Sequence, residues 1–313
     1  MNRRRLGNSD LEVSVLSLGS WLTYGVSVDR ETCRACIATA FDCGINFFDT
    51  ANMYGRGAAE TVLGDVLADY PRHSFLIGTK VYYPMSKTDR GLSRQQIRKQ
   101  IDASLSRLKM DYVDLYQCHR YDHDTPLEET MEAMRETVRE GKARHIGFSE
   151  WSPRRIRNAD EFEGDIRFTS SQPQYSMLYR KPEREVFPLC DQLGIGQIVW
   201  SPLAQGVLTG KYKAGKPPPD GSRGDIRQSR SGRFSRPEVL EAVERLRPIA
   251  AGLSLTLPQL ALAWVLQNES VSSAIIGASS PRQVSENAVA AKTELGAETM
   301  KAIDTALGEV VRR

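Results

Sequence analysis

Four side chains able to hold or move a proton stand in order along this chain: Asp49, Tyr54, Lys80 and His119. Asp49 follows the apolar run 45–48, with Tyr54 just beyond it. Lys80 follows the run 74–78, and His119 follows the run 112–117. A carboxylate, a phenol, an ammonium and an imidazole suit the reduction of a carbonyl without a metal. A phenol of ordinary pKa near ~10 exchanges protons poorly at neutral pH, and a neighbouring cation lowers that value. Lys80 can supply the cation and Asp49 can hold Lys80. His119 can donate a hydrogen bond to the substrate oxygen or help relay the proton. A carbonyl that accepts hydride needs an acid within hydrogen-bond reach of its oxygen, and Tyr54 is the candidate. Taken singly, each residue has a plainer reading as a rim charge, a packed histidine or a helix cap. The ordered set on successive units carries the inference.

The elements that must position these groups alternate along the whole chain. Strands are expected at 13–18, 45–48, 74–78, 112–117, 144–148, 168–170, 197–200 and 273–276. Helices are expected at 31–41, 59–67, from the Ser93 cap to Leu108, at 127–139 and from Pro153. Further helices are expected at 183–193, 240–251, 258–267, 281–291 and 297–310. Such alternation implies a parallel sheet with helical crossovers. About eight units predict a closed (β/α)8 barrel, in one domain over residues 1–313. An open doubly wound sheet is the second choice, because no G-x-G-x-x-G follows the first strand. In a barrel, chemistry gathers at the C-terminal ends of the strands, where all four groups fall.

Composition narrows the class. The 313 residues are 40% hydrophobic and 26% charged, with a net charge of +3, as in an ordinary globular protein. No run of eighteen apolar residues predicts a membrane span, and the basic start leads into no secretory signal. Cys33, Cys36, Cys43, Cys118 and Cys190 are odd in number and scattered, which fits a reducing cytoplasm. The charge is too small and dispersed to point to nucleic acid. No cluster of ligands points to a metal. Cys33-x-x-Cys36 has redox spacing but lies inside an expected helix, so packing is its simpler reading. Segment 215–236 combines Pro217-Pro218-Pro219 with five arginines. It reads as a disordered excursion or as a lid over phosphates.

Three stretches make the chain resemble the aldo-keto reductase superfamily: Gly44-Ile45-Asn46-Phe47-Phe48-Asp49-Thr50-Ala51 with Tyr54-Gly55, Tyr112-Val113-Asp114-Leu115 leading to His119-Arg120, and Ile276-Gly277-Ala278-Ser279. Within it, Leu18-Gly19-Ser20-Trp21, Arg90-Gly91-Leu92-Ser93 and Trp200-Ser201-Pro202-Leu203-Ala204 are similar to the β subunits of voltage-gated potassium channels and their bacterial relatives. The resemblance implies a barrel with an N-terminal β-hairpin and extra C-terminal helices. It also implies NADPH as cofactor, a small carbonyl substrate and a homo-oligomer, with Asp49, Tyr54, Lys80 and His119 as the catalytic set. By the same resemblance, Trp200 stacks on the nicotinamide, while Ser149 and Gln172 hold its carboxamide. Ser20 and Trp21 face the cofactor. Ser201, Pro202, Leu203, Ala204, Gly206 and Lys211 follow the pyrophosphate, and Arg223 clamps it. Gly277, Ser279, Gln283, Glu286 and Asn287 take the adenosine end.

The departures are informative. Glu150 stands in the cofactor wall where many relatives have Asn and channel β subunits have Arg. Gln283 stands where many have Arg. His119 stands where channel β subunits have Asn, which favours catalysis over the alternative, a redox-sensing auxiliary subunit of a membrane channel. Tyr24, Tyr82, Tyr83 and Trp151 can wall an apolar or aromatic substrate, or simply pack. Arg120 and Asp122 can meet a polar substrate, although a salt bridge at the rim is the simpler reading.

Overall fold

The computed structural model describes residues 1–162, 164–220, 222, 234 and 236–313. A short antiparallel hairpin comes first, β1 (Arg3–Arg5) paired with β2 (Glu12–Ser14). The strands β3 (Leu16–Gly19), β4 (Phe47–Asp49), β5 (Leu76–Val81), β6 (Val113–Cys118), β7 (Ala143–Ser149), β8 (Phe168–Gln172), β9 (Gly196–Val199) and β10 (Val271–Ile276) then pair in parallel, and β10 closes on β3. This is the expected (β/α)8 barrel with flanking helices. Parallel strands buried on both faces require crossovers, and the helices α1 (Arg30–Asp42), α2 (Ala58–Leu67), α3 (Arg94–Leu108) and α4 (Leu127–Arg139) supply the first of them. Ser93 caps α3 as its sequence suggests, accepting a hydrogen bond from the Gln96 amide.

The hairpin seals one mouth of the barrel. Leu6, Leu11 and Val13 are buried against Phe47, Leu115 and Ile198 of the barrel strands. Each such side chain contributes about 2 kcal/mol on leaving water. Arg4 ties the hairpin down by donating to the carbonyls of Leu266, Asn268 and Val271. With the N-terminal mouth plugged, the opposite rim carries the polar strand ends.

Several boundaries differ from the sequence reading. The expected strand 13–18 is two strands. The chain leaves the hairpin at Ser14, whose hydroxyl donates to the Leu16 carbonyl and whose amide donates to the Asn46 side chain. The expected helix 240–251 is two helices, Pro237–Glu244 and Arg247–Gly252, because Pro248 has no N–H to give the Glu244 carbonyl. The expected helix 183–193 shortens to Val186–Gln192, which places Pro188 in a first turn that needs no amide from it. Past Leu307 the last helix tightens to a 3-10 turn at Gly308–Val310. Among the described residues, no single helix is long and apolar enough to cross a membrane. All five cysteines are free, and burial pushes the Cys33 thiol up to about 11. Packing therefore accounts for Cys33 and Cys36.

Candidate active site

Tyr54 is placed by the turn that follows β4. The Thr50 amide donates to the Gly78 carbonyl at 2.9 Å and the Asn52 amide to the Lys80 carbonyl at 3.2 Å, so the turn is pinned along β5. The chain then coils through a 3-10 turn, Tyr54–Gly57. Gly57, at φ +95°, starts α2 from a conformation that costs a side-chain-bearing residue roughly 1–3 kcal/mol. An added Cβ there would also press within 2.7 Å of the Arg107 side chain, which is committed to the buried Glu60 carboxylate. The turn thus has little freedom, and Tyr54 stays buried at the strand rim.

Lys80 lies in β5 itself and is fully buried. Its ammonium has three protons to give and meets three oxygens: Asp49 Oδ2 at 2.6 Å, the Thr50 carbonyl at 2.7 Å and Tyr54 Oη at 3.4 Å. The other Asp49 oxygen accepts from Gln172 Nε2 at 2.9 Å. Asp49 is therefore fixed from both sides, and Lys80 through it. Because Lys80 donates to the phenol oxygen, the Tyr54 proton is left for another acceptor. His119 packs edge-on against Tyr54, with ring centroids 5.7 Å apart, and against Tyr83 at 4.9 Å. Trp21 lies 6.4 Å from Tyr54, centroid to centroid. The structure thus brings together the four groups expected to act jointly.

The electrostatics correct one expectation. Burial, and after it the Asp49 carboxylate, push the Tyr54 phenol well above its ordinary pKa, with Arg120 working the other way. A phenol lowered by Lys80 was expected from sequence. Loss of water dominates, and the cation that works against it is Arg120, so Tyr54 keeps its proton through neutral pH. Burial also pulls the Lys80 ammonium down, against Asp49, which holds its charge. The His119 imidazole is pushed well below its ordinary value by burial, then by Lys80 and Arg120. It is neutral at physiological pH, and its Nδ1 is buried with no hydrogen-bond partner among the described residues.

The His119 shift has a consequence for stability. Below about pH 6.5 an unfolded histidine takes up a proton that the folded site refuses. Stability fully present above that pH is therefore lost as pH falls toward the folded value, by about 1.4 kcal/mol per pH unit. Urea unfolding at pH 7.5, 6 and 5 should show a steeper acid loss for the wild type than for His119→Gln. The expected difference between pH 6 and pH 5 is about 1 kcal/mol. Equal slopes would mean that His119 is protonated in the folded protein.

The remaining expected residues line the same rim. Ser149 Oγ donates to the Gln172 carbonyl at 2.8 Å, and Arg120 reaches Ser149 Oγ at 3.3 Å. Gln172 thus gives its amide to Asp49, a partner that sequence did not suggest. Ser20 is buried, with its hydroxyl 2.9 Å from Thr50 Oγ1. Glu150, in the left-handed region at φ +61°, accepts from the Trp200 indole at 3.0 Å and from the Gln174 amide at 2.6 Å. It fixes the Trp200 ring, a contact between residues fifty positions apart that no local pattern signals.

The segment after Trp200 is strained. Ser201, Ala204, Gln205 and Gly206 all have positive φ, and each non-glycine of that kind costs roughly 1–3 kcal/mol, an expense concentrated at functional sites. Pro202 and Ala204 are buried, and Leu203 is half-buried. An added Cβ on Gly206 would lie 3.2 Å from Lys211 Cε, so the lysine stem runs over that glycine. Lys211 is exposed and pairs with no carboxylate among the described residues. Beyond β10, Gly277 is exposed, and Gln283 Oε1 accepts from the Ser279 amide at 2.9 Å. Asn287 is buried, while Glu286 is exposed and paired with Arg282 at 2.6 Å. A half-exposed indole, a strained loop with an exposed lysine and polar groups at a helix start fit a dinucleotide. Arg223 and most of segment 215–236 lie outside the described residues.

Residues 15–307 match the Aldo/keto reductase family. The chain belongs to that family, which places it among the oxidoreductases. It is 41% identical over 296 residues to an Arabidopsis thaliana protein described as a probable voltage-gated potassium channel subunit beta, covering 92% of this chain and 90% of that protein. A protein of the same description from Oryza sativa subsp. japonica is 40% identical over 296 residues, with the same coverage. A Schizosaccharomyces pombe protein described as a putative voltage-gated potassium channel subunit beta is 40% identical over 320 residues, covering 97% of this chain and 92% of that protein.

Proposed function

We propose that this protein reduces aldehydes or ketones to alcohols with NADPH, with Tyr54 as the proton donor. The buried contact of Lys80 with Asp49, Thr50 and Tyr54 carries the reading. The bound nicotinamide would supply the hydride. The Tyr54 phenol, protonated at neutral pH, gives its proton to the carbonyl oxygen as negative charge develops there. Lys80, already donating to Tyr54 Oη, stabilises the phenolate left behind. Asp49 keeps Lys80 in place. The neutral His119 imidazole donates to the carbonyl oxygen and orients it. Trp200, held by Glu150, would fix the nicotinamide face. The alternative, an auxiliary subunit of a membrane channel, draws on the names of the relatives. The histidine beside Tyr54 favours turnover.

The test is loss of NADPH absorbance with a neutral aromatic aldehyde. No turnover across a broad panel of carbonyl compounds would sink the reading. Lys211, which pairs with no carboxylate among the described residues, is the candidate contact for the 2′-phosphate, with Ser279 and Gln283. Lys211→Ala should weaken NADPH by roughly tenfold while changing NADH by about twofold or less, since charge-assisted contacts to phosphate are strong and specific. Titration of cofactor fluorescence would show it, and an unchanged preference would place the 2′-phosphate elsewhere.

A further inference from the structure

Arg120 follows His119 directly, half-buried at the end of β6. The salt bridge expected with Asp122 does not form. Asp122 is buried and turns inward, accepting from the Leu92 amide at 2.7 Å, the Asp124 amide at 3.0 Å and Thr125 Oγ1 at 2.8 Å. Glu150 is committed to Trp200 and Gln174. Among the described residues, Arg120 meets no carboxylate. It meets instead the His119 carbonyl at 2.5 Å, Ser149 Oγ at 3.3 Å, and the Tyr83 ring, whose centroid lies 5.6 Å from the guanidinium carbon. Both hydrogen bonds use one nitrogen, Nη1.

This is unlike three other arginines withdrawn from water. Arg72 pairs with Asp114, Arg107 with Glu60 and Arg180 with Asp304, at 2.7 Å in each case. A partly desolvated guanidinium without an acid is costly unless an anion meets it. Its charge reaches the catalytic groups, acting on Tyr54, Lys80 and His119. The aromatic rings of Tyr83, which touches His119, and Trp21, beside Tyr54, flank the same place.

We propose that Arg120 binds a carboxylate on the substrate, so that the preferred carbonyl compounds are aldehydes or ketones bearing a carboxylate across an apolar, aromatic-sized spacer. This rests on the reductase reading above. The planar fork of a guanidinium matches a carboxylate through paired hydrogen bonds, while Nη1 anchors the group to Ser149 and the strand end. The carbonyl then sits at Tyr54 and His119, with its anionic end on Arg120.

The experiment has a turnover arm and a binding arm. In the first, kcat/KM is compared for 4-carboxybenzaldehyde and 4-nitrobenzaldehyde, both electron-poor and of similar shape. The wild type should favour the carboxylate by roughly tenfold or more, and Arg120→Gln should collapse that ratio toward one. Arg120→Lys, which keeps the charge without the fork, should retain part of it. In the second arm, benzoate and benzamide are titrated against the protein holding NADP+. Benzoate should bind at least roughly tenfold tighter in the wild type and lose that advantage in Arg120→Gln. Equal binding of the two by the wild type, or a preference that survives in Arg120→Gln, overturns the proposal whether or not turnover occurs. No turnover of either aldehyde together with selective benzoate binding would overturn the reductase reading and leave Arg120 as the anion site.

Discussion

Tyr54→Phe should lower kcat for aldehyde reduction by roughly 10³-fold, within the 10²–10⁴ range that a positioned proton donor supplies. The substitution removes one oxygen from a buried ring and leaves its packing against Trp21 and His119 in place. Lys80 loses its weakest contact, at 3.4 Å, and keeps those to Asp49 and Thr50 at 2.6 and 2.7 Å. The affinity for NADPH should therefore change by less than about threefold, and the folded protein should melt within a few degrees of the wild type. Loss of turnover with intact cofactor binding separates a proton donor from a residue that merely shapes the pocket. The pH dependence follows from the raised phenol. Reduction by the wild type should hold its rate from pH 6 to pH 9 and decline only on the alkaline side, as Tyr54 gives up its proton. Equal rates for wild type and Tyr54→Phe would remove Tyr54 from the mechanism.

The catalytic groups were legible because strand, polar residue and turn succeed one another locally. An apolar run ending in Asp49-Thr50 or Cys118-His119 shows a rim position without any knowledge of distant contacts. The barrel was legible for the same reason, since alternation of strand and helix is a local rhythm. What escaped depends on partners remote in sequence or on burial. The N-terminal hairpin was expected from the resemblance alone, and what holds its first strand, Arg3–Arg5, lies out of local view, since Arg4 finds three carbonyls more than 260 residues away. Glu150 looked like a departure from a pattern, and its use emerges only when Trp200 is folded against it. The sign of the Tyr54 shift could not be read either. Proximity to Lys80 was visible in the order of the strands, whereas the water stripped from the phenol was not. Asp122 illustrates the opposite error, in which neighbours in sequence looked paired but the loop turned the carboxylate inward.

Lys80→Met should do more damage than Tyr54→Phe, because it also leaves a charge stranded. Asp49 is buried and would lose the partner 2.6 Å away, keeping the hydrogen bond from Gln172. Removing one member of a buried ion pair typically costs about 3–5 kcal/mol. In a domain of this size that is a fall in Tm of roughly 5–8 °C. Reduction should drop at least as far as in Tyr54→Phe, since the phenolate loses its stabilising cation and the turn from Asp49 to Tyr54 loses an anchor at the Thr50 carbonyl. The informative comparison is the double variant Asp49→Asn/Lys80→Met. Neutralising the stranded carboxylate should recover about half or more of the lost stability, a coupling expected of groups in direct contact. Activity should not return, because the cation beside Tyr54 is still missing. If Asp49→Asn restored turnover as well, the pair would be acting through the fold of the rim alone. If the double variant were no more stable than Lys80→Met, the cost would lie in the lost lysine stem and its packing, and the Asp49 charge would not be what Lys80 is there to hold.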